Sequence, residues 1–416
     1  MTHAKETVRP TGRTVPGGCP RLTAMSGRDL FCQPRRGRAG AALAAAFVGV
    51  LVTGAATGSL PGRADRKSEA EHAGSAALTA GGRHEEVSRA AAEAMADGTS
   101  PLKAAERAVS RSGDRWGAVY SHREYEEFQE ALDGQYTGVG LCARRERDGR
   151  IEVTKVRAGS PAAAAGIRAG DRLRSIDAEK VDGLPVTEVV SLLRGDAEGA
   201  HAGTAVTLGL QRGTRAWSAT LHRARLSTDP VTVRRPADRV TVIRIAAFTK
   251  GVGDEVRTAV RHSPPASGII LDLRGNSGGL VAEAVTTASA FLDGGPVATY
   301  DVDGEQRALH ADPGGDTTRP LVALVDGGTM SAAELLTGAL QDRGRAVVVG
   351  SRTFGKGSVQ MPSRLPDGSV AELTVGHYRT PGGHGVDGRG ITPDLDADSD
   401  AMRRARTVLT GLGDSS

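Results

Sequence analysis

Residues 321–350 read LVALVDGGTMSAAELLTGALQDRGRAVVVG and contain two apolar runs, one on each side of a helix-forming segment. The apolar run LVALV leads into a Gly-Gly turn, Ser331 then opens a segment of helix-forming residues, and a glycine ends that segment. A second apolar run, AVVVG, follows at once. Short apolar runs bounded by turn residues indicate buried strands. The stretch therefore predicts a buried strand, a helix and a second buried strand.

The same alternation occurs on the N-terminal side of this stretch. Residues 240–245, VTVIRI, and 268–273, GIILDL, predict two more apolar strands, and GLVAEAVTTASAFL at 279–292 predicts a helix. Strands that alternate with helices indicate an α/β core with a mixed sheet and helices. We assign this core to residues 227–398 and a C-terminal tail to residues 399–416.

Two other regions precede the core. Residues 81–134 are rich in Ala, Glu and Arg, and Pro101 after Ser100 is typical of a first helical turn, so we predict a helical N-terminal region. Residues 135–226 change to short alternating stretches separated by glycine turns, which predict strands. The small and polar residues 61–80 are interpreted as a linker.

The first 60 residues contain a pattern typical of export. Residues 39–58, AGAALAAAFVGVLVTGAATG, are uncharged and follow a cluster of arginines, as in a signal peptide or signal anchor. A buried Ala-rich helix is the alternative interpretation of this run. We assign residues 1–38 to a cytoplasmic or disordered N-terminus and residues 39–60 to the signal peptide or anchor. The protein is then expected to be extracytoplasmic, either secreted or held at the membrane by this segment.

Composition excludes several classes of function. Hydrophobic residues make up 39% of the chain and charged residues 25%, as in an ordinary globular protein, and the net charge is +4. The basic residues are spread out and form no stripe with aromatic residues, so we expect no nucleic-acid partner. Of the three cysteines, Cys142 alone follows the apolar run, which excludes a disulfide framework in the exported part. We expect neither a metal nor another cofactor.

Two glycine-rich motifs are candidate sites. Residues 275–279, GNSGG, match the nucleophile elbow of an α/β-hydrolase-like esterase, in which Ser277 would be the nucleophile, although a glycine turn before a helix explains the motif equally. Three histidines follow it in the chain: His310, His377 and His384. Residues 350–357 resemble a phosphate-binding P-loop, but Gly357 replaces the magnesium-binding Ser or Thr and no helical pattern follows.

A third motif combines Ser331 with Lys356. Unpaired backbone N–H groups at the start of a helix can hold an oxyanion, although Ser331 and Glu334 also match a capping box, which explains the serine without catalysis. Lys356 is one of only seven lysines and follows the next apolar strand. Burial would favour its neutral amine, which could act as general base for the serine hydroxyl. Gln360 could orient that amine.

Four segments, in their order along the chain, resemble the C-terminal processing (tail-specific) peptidases, a serine peptidase family: GIILDLRGNSGGL, VDGGTMSAAELLTGALQD, SRTFGKGSVQ and GRGITPDL. The resemblance covers residues 80–398. It implies an α/β peptidase core that cleaves polypeptides through an acyl-enzyme, with Ser331 as nucleophile, Lys356 as general base and Gln360 as the residue that positions the lysine.

The resemblance also bears on the first glycine-rich motif. It implies an oxyanion hole made by backbone N–H groups around Gly278 and Ala332. Family members often have proline at the position of Ser277, so this serine is not expected to react. A PDZ scaffold with an inactive peptidase domain remains an alternative, and the presence of both Ser331 and Lys356 argues against it.

Residues 137–195 resemble the PDZ domain of the same family, and we assign residues 135–226 to this domain. The run TGVGL contains the residues implied to bind the terminal carboxylate of a peptide: Thr137, Gly138, Val139, Gly140 and Leu141. In such domains a peptide adds as a strand to a sheet edge, and backbone N–H groups hold its carboxylate. The expected partners are therefore polypeptide substrates read through their C-termini. Self-association into a homo-oligomer is left open.

Overall fold

The computed structural model describes residues 80–195, 201–236, 240–265, 267–302 and 305–413. The assignments made for residues 1–38 and 39–60, and all but the last residue of 61–80, therefore lie outside the described residues. Among the helices that are described, none is long and apolar enough to cross a membrane.

The N-terminal region contains three helices and one short strand: α1 (Ala80–Ala96), α2 (Pro101–Arg111), β1 (Ala118–Tyr120) and α3 (His122–Leu132). Ser100 caps α2 by accepting a hydrogen bond from the N–H of Lys103, and Pro101 fits the first turn because its missing N–H has no partner to lose there. Ser121 and Glu124 form a capping box that starts α3.

Residues 135–227 form a β-rich domain with two short helices: β2 (Gln135–Gly138), β3 (Leu141–Arg145), β4 (Ile151–Val156), α4 (Pro161–Ala164), β5 (Arg172–Ile176), β6 (Glu179–Lys180), α5 (Val186–Arg194), β7 (Ala205–Arg212), β8 (Arg215–His222) and β9 (Ala224–Ser227). Strands β3 to β8 form one antiparallel sheet, and β2 pairs with β9 where the chain enters and leaves the domain. Its buried Ile, Val and Leu side chains make a core of their own.

The remaining elements build the α/β core: β10 (Val231–Arg234), β11 (Val240–Ile245), α6 (Val252–Arg261), β12 (Gly268–Asp272), α7 (Val281–Ala288), β13 (Pro296–Val302), β14 (Glu305–His310), β15 (Leu321–Val325), α8 (Ala332–Asp342), β16 (Val347–Gly350), β17 (Ser358–Arg364), β18 (Val370–Arg379), β19 (Leu395–Asp396) and α9 (Ala401–Gly413). The strand, helix and strand predicted for 321–350 are β15, α8 and β16. The sequence prediction of an α/β core with mixed sheets and helices is confirmed.

The main sheet has the strand order β10-β11-β12-β15-β16-β19. Strand β10 is antiparallel to β11, and the other neighbours are parallel. Successive side chains of a strand point to opposite faces, so Leu321 and Ala323 pack with α6, α7 and α8, whereas Val322 and Leu324 pack against the other face. Because β15 and β16 are parallel neighbours, the segments that follow them emerge at the same edge of the sheet.

A second sheet joins segments from both sides of the β-rich domain. Strand β18 pairs with β17 over most of its length and with β13 near its C-terminal end. Strand β1, which precedes the β-rich domain in the chain, also pairs with β18, with Ala118 opposite Glu372. Small apolar side chains of α1 and α2 cover this sheet and bury Ala371 and Leu373.

The structure corrects the assignment of residues 399–416 to a C-terminal tail. Residues 401–413 form α9, and its side chains Ala401, Ala405 and Leu409 are buried against the main sheet. A spacing of four residues places these side chains on one face of the helix. The segment therefore belongs to the core, because it covers the face of the parallel sheet that α6, α7 and α8 leave open.

Candidate active site

Ser331 lies directly between the turn that follows β15 and the first residue of α8. Its backbone has φ 60° and ψ −117°, a left-handed conformation that a non-glycine residue rarely adopts. The residue is fully buried, and its Oγ has no hydrogen-bond partner among the described residues. Backbone strain of this kind is found at functional sites, where the surrounding structure enforces it.

The turn that carries Ser331 is joined to the turn that follows β12. Three hydrogen bonds connect them: Gly275 N–H to Asp326 Oδ1 (2.8 Å), Met330 N–H to the Asn276 carbonyl (2.9 Å) and Thr329 Oγ1 to the Leu273 carbonyl (3.0 Å). Gly278 fits against the serine so closely that a Cβ there would lie 3.0 Å from the Cβ of Ser331. The two turns therefore form one rigid unit around Ser331.

Lys356 lies in the loop between β16 and β17 and is fully buried. Burial lowers the pKa of its amine to about 8, although the negative charge of Glu372 and, less strongly, of Asp114, Asp387 and Glu334 opposes this shift. The ring centroid of Trp116, from the loop before β1, lies 5.2 Å from Nζ. The neutral, basic form of the amine is thus accessible near neutral pH.

Glu334 holds the backbones of Ser331 and Lys356 together. Its Oε2 accepts hydrogen bonds from the N–H groups of Ser331 (2.8 Å) and Lys356 (2.9 Å). Its Oε1 accepts from Thr353 Oγ1 (2.5 Å) and from the N–H of Gly355 (2.7 Å). Burial raises the pKa of this carboxyl, and the four donors oppose that shift. One buried side chain therefore fixes the start of α8 relative to the lysine loop.

Tyr378 makes a second link between the same two residues. Its hydroxyl lies 3.0 Å from the carbonyl oxygen of Ser331 and 3.2 Å from that of Lys356. The residue is fully buried, and burial raises the pKa of its phenol well above the ordinary value. The hydroxyl is therefore a stable donor shared by these two carbonyls.

The side-chain amide of Gln360 is hydrogen-bonded through its nitrogen but not through its oxygen in the described part of the chain. Its Nε2 donates to Ser358 Oγ (2.8 Å) and Thr374 Oγ1 (3.2 Å), while its Oε1 is buried without a hydrogen-bond partner among the described residues. Asp114 in turn accepts from the N–H (2.6 Å) and the hydroxyl (2.8 Å) of Thr374. The N-terminal region thus supports Gln360 through Thr374.

The two residues named for an oxyanion hole both lie beside Ser331. Ala332 is the first residue of α8, and its N–H has no acceptor among the described residues, as expected for a first helical turn. The N–H of Gly278, in contrast, donates to Asn276 Oδ1 at 2.8 Å. The structure therefore presents the donor of Ala332, whereas Asn276 occupies that of Gly278.

Ser277 lies in the loop between β12 and α7, as the elbow pattern requires, and is half-buried. The ring nitrogens of two downstream histidines face carboxylates instead, with His377 3.9 Å from Asp387 and His384 3.7 Å from Asp342. No hydrogen bond joins Ser277 to either histidine in the described part of the chain.

The P-loop alternative fails on secondary structure. Residues 350–357 lead into the strand β17, whereas a P-loop needs a helix there whose N-terminus faces the phosphate. Two of the loop N–H groups, those of Gly355 and Lys356, already donate to Glu334. In addition, the described residues include no group of three or more His, Cys, Asp or Glu side chains arranged to hold a metal ion.

The proposed carboxylate-binding run lies between β2 and β3. Thr137 and Gly138 end β2, Leu141 begins β3, and the carbonyls of Val139 and Gly140 accept hydrogen bonds from the α4 side of the domain. The N–H groups of Val139 and Gly140 have no acceptor among the described residues. Gly140 has φ +81°, and a Cβ there would meet Ser160 at 2.2 Å, so glycine is required.

The chain thus combines an α/β core that holds a buried serine and a buried lysine with a small β-rich domain that has its own core. Residues 239–397 match the family described as Peptidase family S41, and residues 152–212 match the PDZ domain family. Residues 239–397 thus form a domain of the peptidase S41 type and residues 152–212 belong to a PDZ domain, which confirms both parts of the resemblance seen in the sequence.

Two curated relatives and one solved structure illustrate the similarity. The chain is 34% identical over 324 residues to a "Carboxyl-terminal-processing peptidase 3, chloroplastic" of Arabidopsis thaliana, covering 71% of this chain and 61% of the relative. It is 31% identical over 290 residues to the "Carboxy-terminal processing protease CtpA" of Bacillus subtilis (strain 168), covering 68% and 61%. A crystal structure of a putative S41 protease from Bacteroides fragilis NCTC 9343 matches with a TM-score of 0.50 and 16% identity, covering 76% of this chain and 91% of that one.

The solved structure and the curated relatives support different conclusions. The solved structure shares the fold at low identity, whereas the curated relatives share sequence over most of this chain. The chain spans about three fifths of the length of these relatives.

Sequence reasoning missed the side chains that hold the site together. Glu334 was recognised only as part of a capping box, although its spacing from Ser331 was the signal that it lies beside the serine. Tyr378, Thr374 and Asp114 carry no local pattern that points to the site, because they reach it through pairing across strands distant in sequence.

Proposed function

We propose that this chain is a serine endopeptidase that cleaves exported polypeptides with Ser331 as nucleophile and Lys356 as general base. The observation that carries the proposal is the double link between these two residues. Glu334 binds both of their N–H groups, and Tyr378 contacts both of their carbonyls. A serine and a buried lysine fixed in this way form a nucleophile and a base held in constant geometry.

The acylation step uses the neutral amine of Lys356. As Oγ of Ser331 forms a bond to the scissile carbonyl carbon, its proton passes to Nζ. The negative charge on the substrate oxygen is stabilised by the N–H of Ala332, joined by that of Gly278 once the side chain of Asn276 releases it. The C–N bond then breaks, and the ammonium of Lys356 returns the proton to the leaving amine.

Deacylation repeats the same proton transfers with water. Lys356 takes a proton from the water that attacks the ester carbon, the bond to Oγ breaks, and the proton returns to Ser331. In this proposal Gln360 accepts a hydrogen bond from the amine through its otherwise unpaired Oε1, which turns the nitrogen lone pair toward the serine. The scheme requires no metal ion and no nucleotide.

Substrate choice is proposed to involve the PDZ domain. The unpaired N–H groups of Val139 and Gly140, together with the neighbouring Thr137, Gly138 and Leu141, would receive the terminal carboxylate of a polypeptide. The arginine-flanked apolar run at 39–58 supports an extracytoplasmic location, in which the protein meets exported polypeptides.

Proteolysis of an unstructured protein tests the nucleophile. The full chain is compared with separate Ser331→Ala and Ser277→Ala variants, each checked for folding by circular dichroism. We expect Ser331→Ala to lose cleavage and Ser277→Ala to keep most of it. The opposite result, with both variants folded, would support the esterase interpretation and reject this one.

Terminal recognition is tested with two peptides that differ only at the C-terminus. Amidation removes the negative charge and one acceptor oxygen, and a hydrogen bond to a charged group contributes about 1.5–3 kcal/mol. The free acid should therefore bind about tenfold more tightly than the amide. Equal binding and equal cleavage of both peptides would remove C-terminal recognition from the proposal and leave the chemistry of Ser331 unaffected.

A further inference from the structure

The charges of four carboxyl groups act on the Lys356 amine, and these groups come from four different parts of the chain. Asp114 belongs to the loop before β1, Glu334 to α8, Glu372 to β18 and Asp387 to the loop after β18. Their charges all favour the protonated amine, and that of Glu372 has the largest effect. These groups therefore compete with burial, which favours the neutral amine.

Three of these carboxylates are bound by hydrogen-bond donors. Glu334 accepts from four donors, Asp114 accepts from Thr374 and from two nearby N–H groups, and Asp387 accepts from Gly357 and the Trp116 indole. Each therefore has a structural function apart from its charge.

Glu372 differs from the other three. It is fully buried, and neither of its oxygens has a hydrogen-bond partner among the described residues. A buried carboxyl without donors is costly, and a protein normally replaces such a group with an apolar side chain or provides it with a partner. Its environment thus offers no structural reason for a carboxyl at this position.

The register of the second sheet places Glu372 beside the lysine's supporting residues. Glu372 and Thr374 are two apart on β18 and so point to the same face of the sheet, and Gln360 lies directly opposite Thr374 on β17. Ala118 of β1 lies opposite Glu372 on the other strand neighbour. The carboxyl therefore lies on the face of the sheet that holds Gln360, on a strand that has a neighbour on each side.

The other titratable groups around Glu372 are few and come from each neighbouring element. From α3, Tyr125 has a phenol whose pKa is raised by burial and, less strongly, by the charge of Glu372. From the end of β17, Arg364 lies near Tyr125 and lowers that pKa. From α1, Arg83 donates to the carbonyl of Thr374 at 2.6 Å, and His84 lies 3.4 Å from the carbonyl of Met361.

We propose that Glu372 is the charge partner of Lys356 and that its carboxyl sets the pH range in which the lysine amine acts as a base. The proposal rests on the function proposed above for Lys356. Glu372 acts on the reaction only through its charge, which changes the pKa of the Lys356 amine. It is therefore a positioning residue and not a catalytic one. Its negative form stabilises the ammonium, which delays the appearance of the basic amine as the pH rises.

The direction of the pH effect follows from the two titrations. Burial raises the pKa of Glu372 to about 8, and burial lowers that of Lys356 to about 8. As the pH rises through this value, loss of the Glu372 proton creates a negative charge that holds the proton on Lys356. The charge has to be overcome before the neutral amine accumulates, so kcat/KM should rise at a higher pH than it would without Glu372.

The test is the pH profile of kcat/KM for a short peptide substrate, measured with the full chain and its Glu372→Gln variant. Removal of the charge should move the alkaline rise to lower pH by about 1 unit, the size expected for loss of a nearby opposite charge. Glu372→Met gives a second variant that should fold well, because an apolar side chain of similar length replaces a group without partners. Asp171→Asn, which alters a buried carboxylate of the PDZ domain, serves as control and should leave the profile in place.

A second readout does not depend on activity. The thermal unfolding midpoint of Glu372→Gln is compared with that of its parent at pH 5 and pH 8, in a Ser331→Ala background. The folded wild type has to keep Glu372 protonated up to about pH 8, whereas the unfolded chain releases that proton near the ordinary value of 4.5. Wild-type stability therefore falls as the pH rises across this window, and the advantage of the variant should grow from pH 5 to pH 8.

The outcomes separate this proposal from the one on which it rests. A lower pH midpoint in both Glu372 variants together with the growing thermal advantage supports it. An unchanged pH midpoint in folded, active variants overturns it even if Ser331→Ala is inactive. If Ser331→Ala keeps full activity, the proposed function fails, and a thermal advantage equal at both pH values then overturns the role of Glu372 as well.

Discussion

Two strand-turn-helix units of the main sheet, β12–α7 and β15–α8, are built alike and behave differently. Each has a glycine-rich turn with a serine and a glutamate in the first turn of its helix, Glu283 in α7 and Glu334 in α8. Glu283 accepts hydrogen bonds from the N–H groups of Gly251 and Gly253 and so fixes the start of α6. Glu334 instead binds the loop that carries Lys356.

The comparison shows what distinguishes a candidate nucleophile from a serine in a similar pattern. Ser277 matches a known motif more closely, but its unit connects to another helix of the scaffold. Ser331 sits in a strained backbone conformation, and its unit connects to a buried amine. The two units therefore differ in the segment to which the glutamate is hydrogen-bonded, and less in the residues next to the serine.

Replacing Lys356 should remove the base that distinguishes Ser331 from Ser277, and with it most of the activity. We expect Lys356→Ala to lower kcat/KM by about 10³-fold, because general-base catalysis contributes roughly 10²–10⁴-fold. The Ser331→Ala, Lys356→Ala double variant should be no worse than either single variant, since residues that act as one unit are not additive. Near-normal turnover of Lys356→Ala on an unstructured protein would contradict the role of this amine.

Exchanging each glutamate for glutamine tests the comparison directly. In the wild type, one carboxylate oxygen of Glu334 accepts hydrogen bonds from the N–H groups of Ser331 and Lys356. In Glu334→Gln, an amide NH₂ at this position would face these two N–H groups and could accept from neither, so the loop and the serine should separate. We expect a loss of about 10²-fold in kcat/KM. Glu283→Gln is the matched control, and it should lower the thermal unfolding midpoint while keeping most of the activity. Equal losses of activity in both variants would remove the distinction between the units.

A methyl group at the contact between the two turns should have a smaller effect. Gly278 has φ +97°, and a Cβ there would lie 3.0 Å from the carbonyl oxygen of Met330. Gly278→Ala should therefore push the turns apart and lower kcat/KM by about tenfold to 10²-fold, because the N–H is shifted but kept, whereas complete removal of an oxyanion donor lowers kcat by about 10²–10³-fold. Gly344→Ala has the same positive-φ cost at φ +61° with open space around it, so its activity should stay close to that of wild type. A similar loss in both variants would point to backbone strain instead of the contact.

Removing the shared hydroxyl should have the smallest effect. Tyr378→Phe deletes the contacts to the carbonyls of Ser331 and Lys356 and leaves the carboxylate link of Glu334 in place. Each hydrogen bond contributes about 1 kcal/mol, so we expect a fall of about fivefold to tenfold in kcat/KM. An unchanged rate at an unchanged unfolding midpoint would show that Glu334 suffices to hold the site.

The local parts of the site could be predicted from the sequence. The apolar run, Gly-Gly turn and helix-forming segment gave β15 and α8 and placed Ser331 at the start of the helix, and the next apolar run placed Lys356 beyond a neighbouring strand. The prediction missed α9, although the spacing of Ala401, Ala405 and Leu409 by four residues is a local signal of a helix with one buried face.

The long-range parts could not be predicted. Asp114 reaches Gln360 only through Thr374, and Glu372 shares a face of the sheet with Gln360 only because β18 pairs with β17 in this register. Strand pairing of this kind depends on tertiary contacts, which leave no period or motif in the chain. The residues with the greatest influence on the lysine were therefore the least visible in the sequence.

The pairing of β1 with β18 also has a consequence for the order in which the protein forms during synthesis. The PDZ domain can close its own core once residue 227 has emerged, because its contacts are local. The support of the lysine loop spans 260 positions between Asp114 and Thr374, and such distant contacts form late. A nascent chain would thus complete the core of its PDZ domain before Asp114 and Thr374 meet and the support of the lysine loop is in place.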